Sequence, residues 1–415
     1  MTRLLAIMGS GETAPTMVKP HRHLFDQLGA SPAPAVVLDT PYGFQANADD
    51  ISARAVGYFA ASVGRKVEVA ELRRAEGADP VGWEAGLARL AGARWVFAGP
   101  GSPTYALRQW ARTDVPKLLA DKLDHGGCVV FASAAALTLG RFTVPVYEIY
   151  KVGADPEWTP GLDLLGAIGP DVAVIPHFDN AEGGNHDTRF CYLGEPRLSA
   201  LEEQMPAGGW VLGVDEHTGC IFDFDAGTAT VVGRGQVTVR HRGASSTVPS
   251  GETLPIAHLV HLSRGQKATG APPPPTEGPP AEAPPTVLHA EIRRLEGKFD
   301  AAVGARDVAG AVRAVLELDD TLFAWAGDTT QSDAGERGRA ALRRMVVRLG
   351  ELAVQGARDP KETVGPLVGA LLSERDTARR DRRFADADRV RSALVAQGIE
   401  VRDTPEGTVW DLAGG

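Results

Sequence analysis

Cysteine is scarce in this sequence: Cys128, Cys191 and Cys220 are the only three among 415 residues. Their spacing gives neither a disulfide framework nor a paired zinc knuckle. No apolar run reaches the ~20 residues that a membrane-crossing helix needs. The start, Met1-Thr2-Arg3-Leu4-Leu5-Ala6-Ile7-Met8, is broken by Gly9 too early for a signal peptide. A basic excess is missing as well. The formal net charge of −10 argues against a dominant polyanion-binding surface and leaves room only for a local basic patch. These absences predict a cytoplasmic protein without a membrane partner, and the inventory calls for no metal and no cofactor. Hydrophobic residues at 43% and charged residues at 23% are those of a globular chain. Its length asks for two or three domains.

What the chain does have is proline in one place. Lys267-Ala268-Thr269-Gly270-Ala271-Pro272-Pro273-Pro274-Pro275 runs into Pro279-Pro280 and Pro284-Pro285. Such a stretch supports neither helix nor sheet and reads as a solvated linker over 266–287. Ahead of it, over 1–265, short β-branched runs alternate with helical periodicity. Leu4–Met8, Ala35–Leu38, Trp95–Ala98 and Cys128–Phe131 read as strands of a parallel sheet, with helices between them such as Tyr105–Leu119. Four later strands, Trp210–Val214, Cys220–Phe224, Thr228–Val232 and Gln236–Val239, read as an antiparallel extension of its edge. Beyond the linker, over 288–415, the pattern is helical, with one helix over Leu371–Ala396. A hairpin closes the chain around Thr404-Pro405-Glu406-Gly407.

Sites in parallel sheets form at the carboxyl ends of the strands, so the turns after Met8, Ala98 and Phe131 should converge. Cys128–Phe131 runs straight into Ala132-Ser133-Ala134-Ala135-Ala136. A serine at a tight strand-to-helix turn stands above the sheet as a nucleophile, with the next N–H facing the group it attacks. Phe131 and Ala135 occupy positions where such an elbow usually has glycine. A plain junction with a satisfied serine is the competing reading. Gly99-Pro100-Gly101-Ser102 can present N–H groups to an oxyanion; Pro100 has none, so Gly101 and Ala134 are the candidates. A serine hydroxyl needs a base. His177, just past Val172-Ala173-Val174-Ile175, can reach the same cleft. The third member would be an acid that fixes the imidazole tautomer. Glu148 is the choice, with Asp155 and Asp179 in reserve.

Gly11, Glu12, Ser102, Asn180, His186 and Arg189 are the candidate substrate contacts. Of these, His186 and Arg189 suit a carboxylate. Gly9-Ser10-Gly11-Glu12-Thr13-Ala14 also fits a loose dinucleotide fingerprint, with Asp39 ending the next strand. A close-packed turn lining the cleft is the preferred reading. The spacing of His177, His186 and Cys191 singles out no metal site.

These motifs, in this order, resemble the cyanophycinase and α-aspartyl dipeptidase group of serine peptidases. They are the Gly-Ser-Gly-Glu turn, the Gly-Pro-Gly-Ser-Pro-Thr-Tyr loop, the Ser-Ala-Ala-Ala elbow and Pro176-His177-Phe178-Asp179-Asn180-Ala181. The resemblance covers roughly residues 1–240. It implies a three-layer class I glutamine amidotransferase-like (flavodoxin-like) α/β fold, Ser133 as nucleophile, His177 as base, and Glu148 at the family's acid position.

The second half resembles the C-terminal, anticodon-region domain of cysteinyl-tRNA synthetase. That likeness is carried by Glu374-Arg375-Asp376-Thr377-Ala378-Arg379-Arg380, by Asp381-Arg382-Arg383-Phe384-Ala385-Asp386 and by Gly398-Ile399-Glu400-Val401 through Trp410. It implies a small helical domain with a terminal hairpin near the tRNA anticodon. The local basic cluster, with Arg379, Arg380, Arg382 and Arg383, is the candidate tRNA contact, set against the commoner reading of an arginine- and aspartate-rich helix as a solvated face. The synthetase's HIGH and KMSKS signatures and its zinc ligands are absent from this sequence, so aminoacylation is not implied.

The reading is a serine hydrolase of a small peptide, amide or ester, carrying a tRNA-recognition-like module. The alternative is an inactive hydrolase relative that serves as a ligand- and RNA- or protein-binding scaffold. A homodimer is left open.

Overall fold

A computed structural model describes residues 2–29, 33–181, 186–263, 287–305, 307–325, 334–356, 360–405 and 407–413. The expected linker lies outside the described residues, apart from Val287. Two compact units emerge: Met1–Arg293 with Leu318–Arg339, and Arg294–Glu317 with Ala340–Gly415.

The first unit is built on a sheet with five parallel strands, β1 (Arg3–Met8), β2 (Ala35–Leu38), β3 (Glu68–Val69), β4 (Trp95–Ala98) and β5 (Gly127–Ala132). Their spatial order is β1-β5-β4-β2-β3. Side chains alternate across it. Leu5 and Ile7 of β1 enter one core with Val129 and Phe131 of β5, while Leu4, Ala6, Met8, Cys128, Val130 and Ala132 enter the other. A sheet buried on both faces needs near-continuous apolar strands, which these are. The connecting helices are α1 (Val18–Gln27), α2 (Ala48–Tyr58), α3 (Pro80–Gly92), α4 (Pro103–Trp110) and α5 (Val115–His125). The single helix expected over Tyr105–Leu119 is two. The chain leaves α4 at Ala111, and Pro116, which has no N–H to donate, is tolerated only in the first turn of a new helix.

After β5 come α6 (Ser133–Leu137), β6 (Phe142–Thr143), β7 (Thr159–Pro160), β8 (Val172–Ile175), α7 (Gly194–Gln204) and β9 (Trp210–Val214). They are followed by β10 (Thr218–Asp223), β11 (Thr228–Gly233), β12 (Gln236–His241), β13 (Ala244–Pro249), β14 (Thr253–Pro255) and α8 (Ile256–Leu262). The late strands divide between two sheets instead of extending one edge. β10, β11 and β14 continue the first sheet antiparallel beyond β1. β9 instead pairs parallel with β8 in a second sheet of order β13-β12-β9-β8-β6-β7. The reason is burial. All five residues of β9 are buried, with Leu212 and Val214 in the core shared with β1 and β5 and Val211 in a separate cluster. A strand buried on both faces takes a central place, not an edge.

The helical region comprises α9 (Val287–Gly304), α10 (Val308–Ala324), α11 (Ala334–Gly356), α12 (Pro360–Arg380) and α13 (Phe384–Ala396). It closes on the hairpin β15 (Ile399–Thr404) and β16 (Gly407–Leu412). The expected helix over Leu371–Ala396 breaks at Arg382, whose φ of +61° no helix interior accepts. The break lets α13 fold back on α12. Val368, Leu372, Leu394 and Val401 then form a small core with Trp410 against it.

Candidate active site

Ser133 begins α6 directly at the end of β5, with φ +50°. A non-glycine residue in the left-handed region costs on the order of 1–2 kcal/mol, a strain that persists only where neighbours impose it. Here the imposing contacts are small. Ala135 donates its N–H to the Gly99 carbonyl at 3.2 Å, and Ala134, Ala135 and Ala136 are buried as α6 settles beside the exit of β4. Phe131 does not obstruct the turn, because its ring points into the core against Trp110, with centroids 6.0 Å apart.

The Ser133 hydroxyl is hydrogen-bonded to His177 Nε2 at 2.9 Å. His177 follows β8 with φ +48°, and Cys191 donates its N–H to the His177 carbonyl at 3.1 Å. On the other side of the ring, Nδ1 meets Glu216 Oε1 at 2.8 Å. Both side chains are mostly buried, His177 at 15% and Glu216 at 20% exposure, so the pair works in reduced dielectric. The same Glu216 oxygen accepts from Asn180 Nδ2 at 3.2 Å, and Asp179 Oδ1 accepts the Glu216 backbone N–H at 2.7 Å. Burial pushes the Glu216 carboxyl up, but the His177 ring and the Asn180 amide outweigh it and hold the group below the usual range. Asp215 behind it goes the other way. Burial, reinforced by the Asp179 charge, pushes its carboxyl up to about 7.

The acid facing His177 is therefore Glu216, not Glu148. Glu148 lies in the single wide turn Glu148–Val152, and its carboxylate accepts from the Thr104 hydroxyl at 3.0 Å. Asp155 is exposed. Asp179 serves the loop of the acid through that backbone bond and does not supply the acid itself. Sequence distance hid Glu216, which lies 39 positions after His177. The signal was in the strands. β8 and β9 are parallel neighbours with Ile175 opposite Gly213, so residues just past their ends meet.

The glycine turn after β1 is explained by the same loop. A Cβ on Gly9 would lie 2.0 Å from the Asp215 carbonyl oxygen, and one on Gly11, at φ +62°, would lie 2.1 Å from His217 Nδ1. Gly9-Ser10-Gly11 thus admits the acid-bearing loop at close range, and His217 donates its N–H to the Ser10 carbonyl at 3.2 Å. Asp39 is committed elsewhere, to the Leu72 N–H at 2.8 Å and to Arg73 at 2.9 Å.

A cavity of about 540 Å³ opens over this relay. The turns after β1, β4 and β5 converge on it as expected, bringing Glu12, Gly101, Ser133 and Ala134, and the exits of β8 and β9 add His177 and Glu216. The Ala134 N–H is in the first turn of α6, where helical N–H groups have no intrahelical acceptor. Gly101 cannot be replaced without moving backbone, since its Cβ would fall 2.0 Å from the Pro41 carbonyl oxygen. Among the expected substrate contacts, Glu12 and His186 line the cavity. The other four do not line it and have structural tasks. Gly11 packs under His217, Ser102 caps α4 by accepting the Tyr105 N–H at 3.1 Å, and Asn180 supports Glu216. Arg189 clamps Asp187 through two bonds of 2.9 and 2.8 Å, which holds that carboxyl down at about 2. Among the described residues no group of His, Cys, Asp and Glu could hold a metal ion, and no helix is long and apolar enough to cross a membrane. The three cysteines are free and buried.

In the helical region the expected RNA-facing arginines are unequal. Arg379 is bonded to Asp403 at 2.5 Å, Arg383 to Asp386 at 2.8 Å, and Arg380 to the Thr377 hydroxyl at 3.0 Å. Arg382 is exposed at the break between α12 and α13. Arg375 is buried and reaches Asp403 at 2.6 Å, tying α12 to the hairpin.

Comparison with known proteins agrees with both halves. The solved structure of a peptidase from an acI-B1 Actinobacterium superposes on 61% of this chain and 97% of its own, with a TM-score of 0.50 and 19% identity. That likeness is one of fold, and the first unit has the three-layer, class I glutamine amidotransferase-like α/β architecture. Residues 364–410 match the cysteinyl-tRNA ligase anticodon binding domain. The cysteine–tRNA ligase of Nitratidesulfovibrio vulgaris (strain DSM 19637 / Miyazaki F) is 39% identical over 131 residues, 31% of this chain and 23% of that protein. The ligase of Lachnospira eligens is 31% identical over 107 residues, 26% of this chain and 22% of that protein. The chain thus spans less than a quarter of either ligase. It joins a peptidase-like fold to a segment similar to the ligase's anticodon binding domain.

Proposed function

We propose that the first unit is a serine hydrolase acting on a peptide, amide or ester carbonyl. The observation that carries this reading is the relay Ser133–His177–Glu216, with the serine held at a strained φ beside the cavity. His177 takes the hydroxyl proton as Ser133 attacks. Glu216 fixes the tautomer and steadies the imidazolium. The N–H groups of Gly101 and Ala134 receive the developing oxyanion. His177 then returns the proton to the leaving group, and water releases the acyl-enzyme. This chemistry needs no cofactor. Strain at Ser133 favours catalysis over a passive scaffold, because a binding cleft gains nothing from holding a serine in the left-handed region. We further propose that residues 288–415 recognise tRNA as a domain joined to 1–265 through the proline-rich stretch 266–287, and that the protein works in the cytoplasm.

The test is labelling of the intact protein with a fluorophosphonate, compared with Ser133→Ala and His177→Ala. Labelling lost in both variants supports the relay. Absence of labelling in the folded wild-type protein, together with no turnover of activated esters, would overturn it.

A further inference from the structure

The cavity is chemically sorted from inside to outside. Its interior holds the fully buried carboxyl of Glu12 close to the Ser133–Ala134 turn. Its mouth carries exposed cations on two sides, Arg54 from α2 and Lys151 from the turn Glu148–Val152. Beside Lys151 stands a group of flat rings. Tyr150 and His186 are nearly parallel, 16° between planes with centroids 6.4 Å apart, and Tyr192 packs against Tyr150 at 4.9 Å. Lys151 Nζ lies 4.9 Å from the Tyr150 centroid. Tyr147, also lining the cavity, is 39% exposed.

Each feature asks something of the ligand. A buried carboxyl lining the same cavity as Ser133 suits an α-ammonium group. The exposed rings of His186 and Tyr147, backed by half-buried Tyr150 and Tyr192, offer faces on which an unstacked base can lie, the usual way proteins hold single-stranded nucleotides. Flanking cations suit phosphates. A free dipeptide would use the interior carboxyl and one cation and leave the rings idle. An amino acid esterified to the 3′-terminal nucleotide of an RNA would use all three. The cavity volume, about 540 Å³, lies within the range of pockets that accept ligands of this size. The same chain carries a segment, residues 364–410, that matches the anticodon binding domain of cysteinyl-tRNA ligase.

We infer that the substrate class is aminoacyl-tRNA, with the bond cleaved being the ester between the amino acid and the terminal ribose; this rests on the serine-hydrolase reading above. Ser133 Oγ bonds to the ester carbonyl carbon as its proton passes to His177 Nε2. The carbon–oxygen bond to the ribose breaks, and the ribose oxygen takes that proton, freeing the tRNA. Water then adds to the acyl-serine, its proton moving to His177, and the amino acid leaves as Ser133 recovers its hydrogen. One water is consumed per ester, and nothing is oxidised or reduced.

The experiment uses the full chain with ¹⁴C-labelled cysteinyl-, seryl- and aspartyl-tRNA, following loss of acid-precipitable label against the spontaneous rate. The same preparations are assayed on an aspartyl dipeptide and a p-nitrophenyl ester. Deacylation at least tenfold above the spontaneous rate, abolished in Ser133→Ala, is the expected result. The pair Tyr150→Ala and Lys151→Ala should each lower the ratio of aminoacyl-tRNA to small-ester kcat/KM about tenfold. Ser133-dependent hydrolysis of the dipeptide or the small ester, with all three aminoacyl-tRNAs decaying spontaneously, overturns this inference and leaves the hydrolase reading standing. No fluorophosphonate labelling and no hydrolysis of any substrate removes both.

Discussion

Glu216 is fixed to His177 at one end and to Asp179 at the other: its side-chain oxygen meets Nδ1 at 2.8 Å, and its own N–H reaches the Asp179 carboxylate at 2.7 Å. The acid is thereby positioned through its backbone as well as its side chain. Replacing Glu216 by glutamine keeps the volume but can present an N–H to Nδ1, favouring the wrong imidazole tautomer. The second-order rate of fluorophosphonate labelling should fall by about 10³–10⁴, the scale of losing the acid in a serine triad. Glu148→Gln keeps an oxygen to accept from Thr104 and removes only the charge. It should stay within about threefold of wild type, because the His177 ring nitrogens meet Ser133 and Glu216 instead, and a partly exposed hydrogen bond is worth little. Equal losses in the two variants would remove Glu216 from the relay.

The difference between Glu148 and Glu216 marks how far the sequence could be read. Ser133, His177, Gly101 and Ala134 lie in turns that directly follow strands, so their convergence was legible from the alternation of apolar runs and small-residue turns. Glu216 was not, because its neighbourhood depends on β9 pairing beside β8, a long-range choice made by burial on both faces of β9. Helix breaks were hidden for a related reason. At Asp381–Arg383 the chain carries neither glycine nor proline, and helix-compatible apolar spacing resumes at Phe384, so only the packing of α13 back on α12 reveals the positive φ of Arg382. Arg189 misled in another way. Its charge looked available in sequence, but Asp187 two residues earlier already satisfies its guanidinium.

Strain at the elbow has a measurable sign. Ser133 sits at φ +50°, where glycine pays no Cβ penalty. Ser133→Gly should therefore be more stable than Ser133→Ala by about 1 kcal/mol, read as a higher midpoint in urea unfolding of the two inactive variants. Ser133→Ala being the more stable of the two would mean the positive φ is not imposed by the fold.

Gly9 tests the close approach of the acid-bearing loop. An added methyl at 2.0 Å from the Asp215 carbonyl oxygen meets backbone, which cannot rotate away as a side-chain tip could. Gly9→Ala should shift the 215–217 loop, lower the labelling rate at least tenfold and cost about 1–3 kcal/mol of stability, the usual range for overpacking. Gly29, where an added Cβ meets nothing within 4 Å although its φ is +101°, is the control: Gly29→Asn should leave labelling unchanged. A Gly9→Ala protein that labels at the wild-type rate would contradict the packing argument.

His21 gives the folded state a pH dependence. It is fully buried among aromatic rings, with Nε2 bonded to the Glu12 carbonyl at 2.8 Å, and burial lowers it from 6.5 to about 4. Between those values the unfolded chain takes up a proton that the folded chain refuses. Stability should therefore be intact above about pH 6.5, fall as the pH drops toward 4 and level off below it, by on the order of 3 kcal/mol in all. His21→Gln keeps a donor for the Glu12 carbonyl and removes the titration, so its unfolding midpoint in urea should be flatter over that window. Parallel pH profiles for the two proteins would show that His21 does not contribute this term.

The arginines of the helical region should contribute unequally to RNA binding. Arg379 is held by Asp403 and Arg383 by Asp386, so part of each charge is already neutralised, and Arg379 also braces the hairpin. Arg382, exposed at the turn, has more to offer a phosphate. Removing one phosphate contact lowers the steepness of log K against log salt by about 1, whatever the RNA sequence. Arg382→Gln in the full chain should show that change in tRNA binding across a potassium chloride series, with thermal unfolding unaltered. Arg379→Gln should leave the slope nearer wild type and instead weaken the hairpin, since Asp403 loses one of its two arginine partners. A slope reduced by Arg379→Gln and untouched by Arg382→Gln would reverse the assignment and place the phosphate on the α12 side of the hairpin.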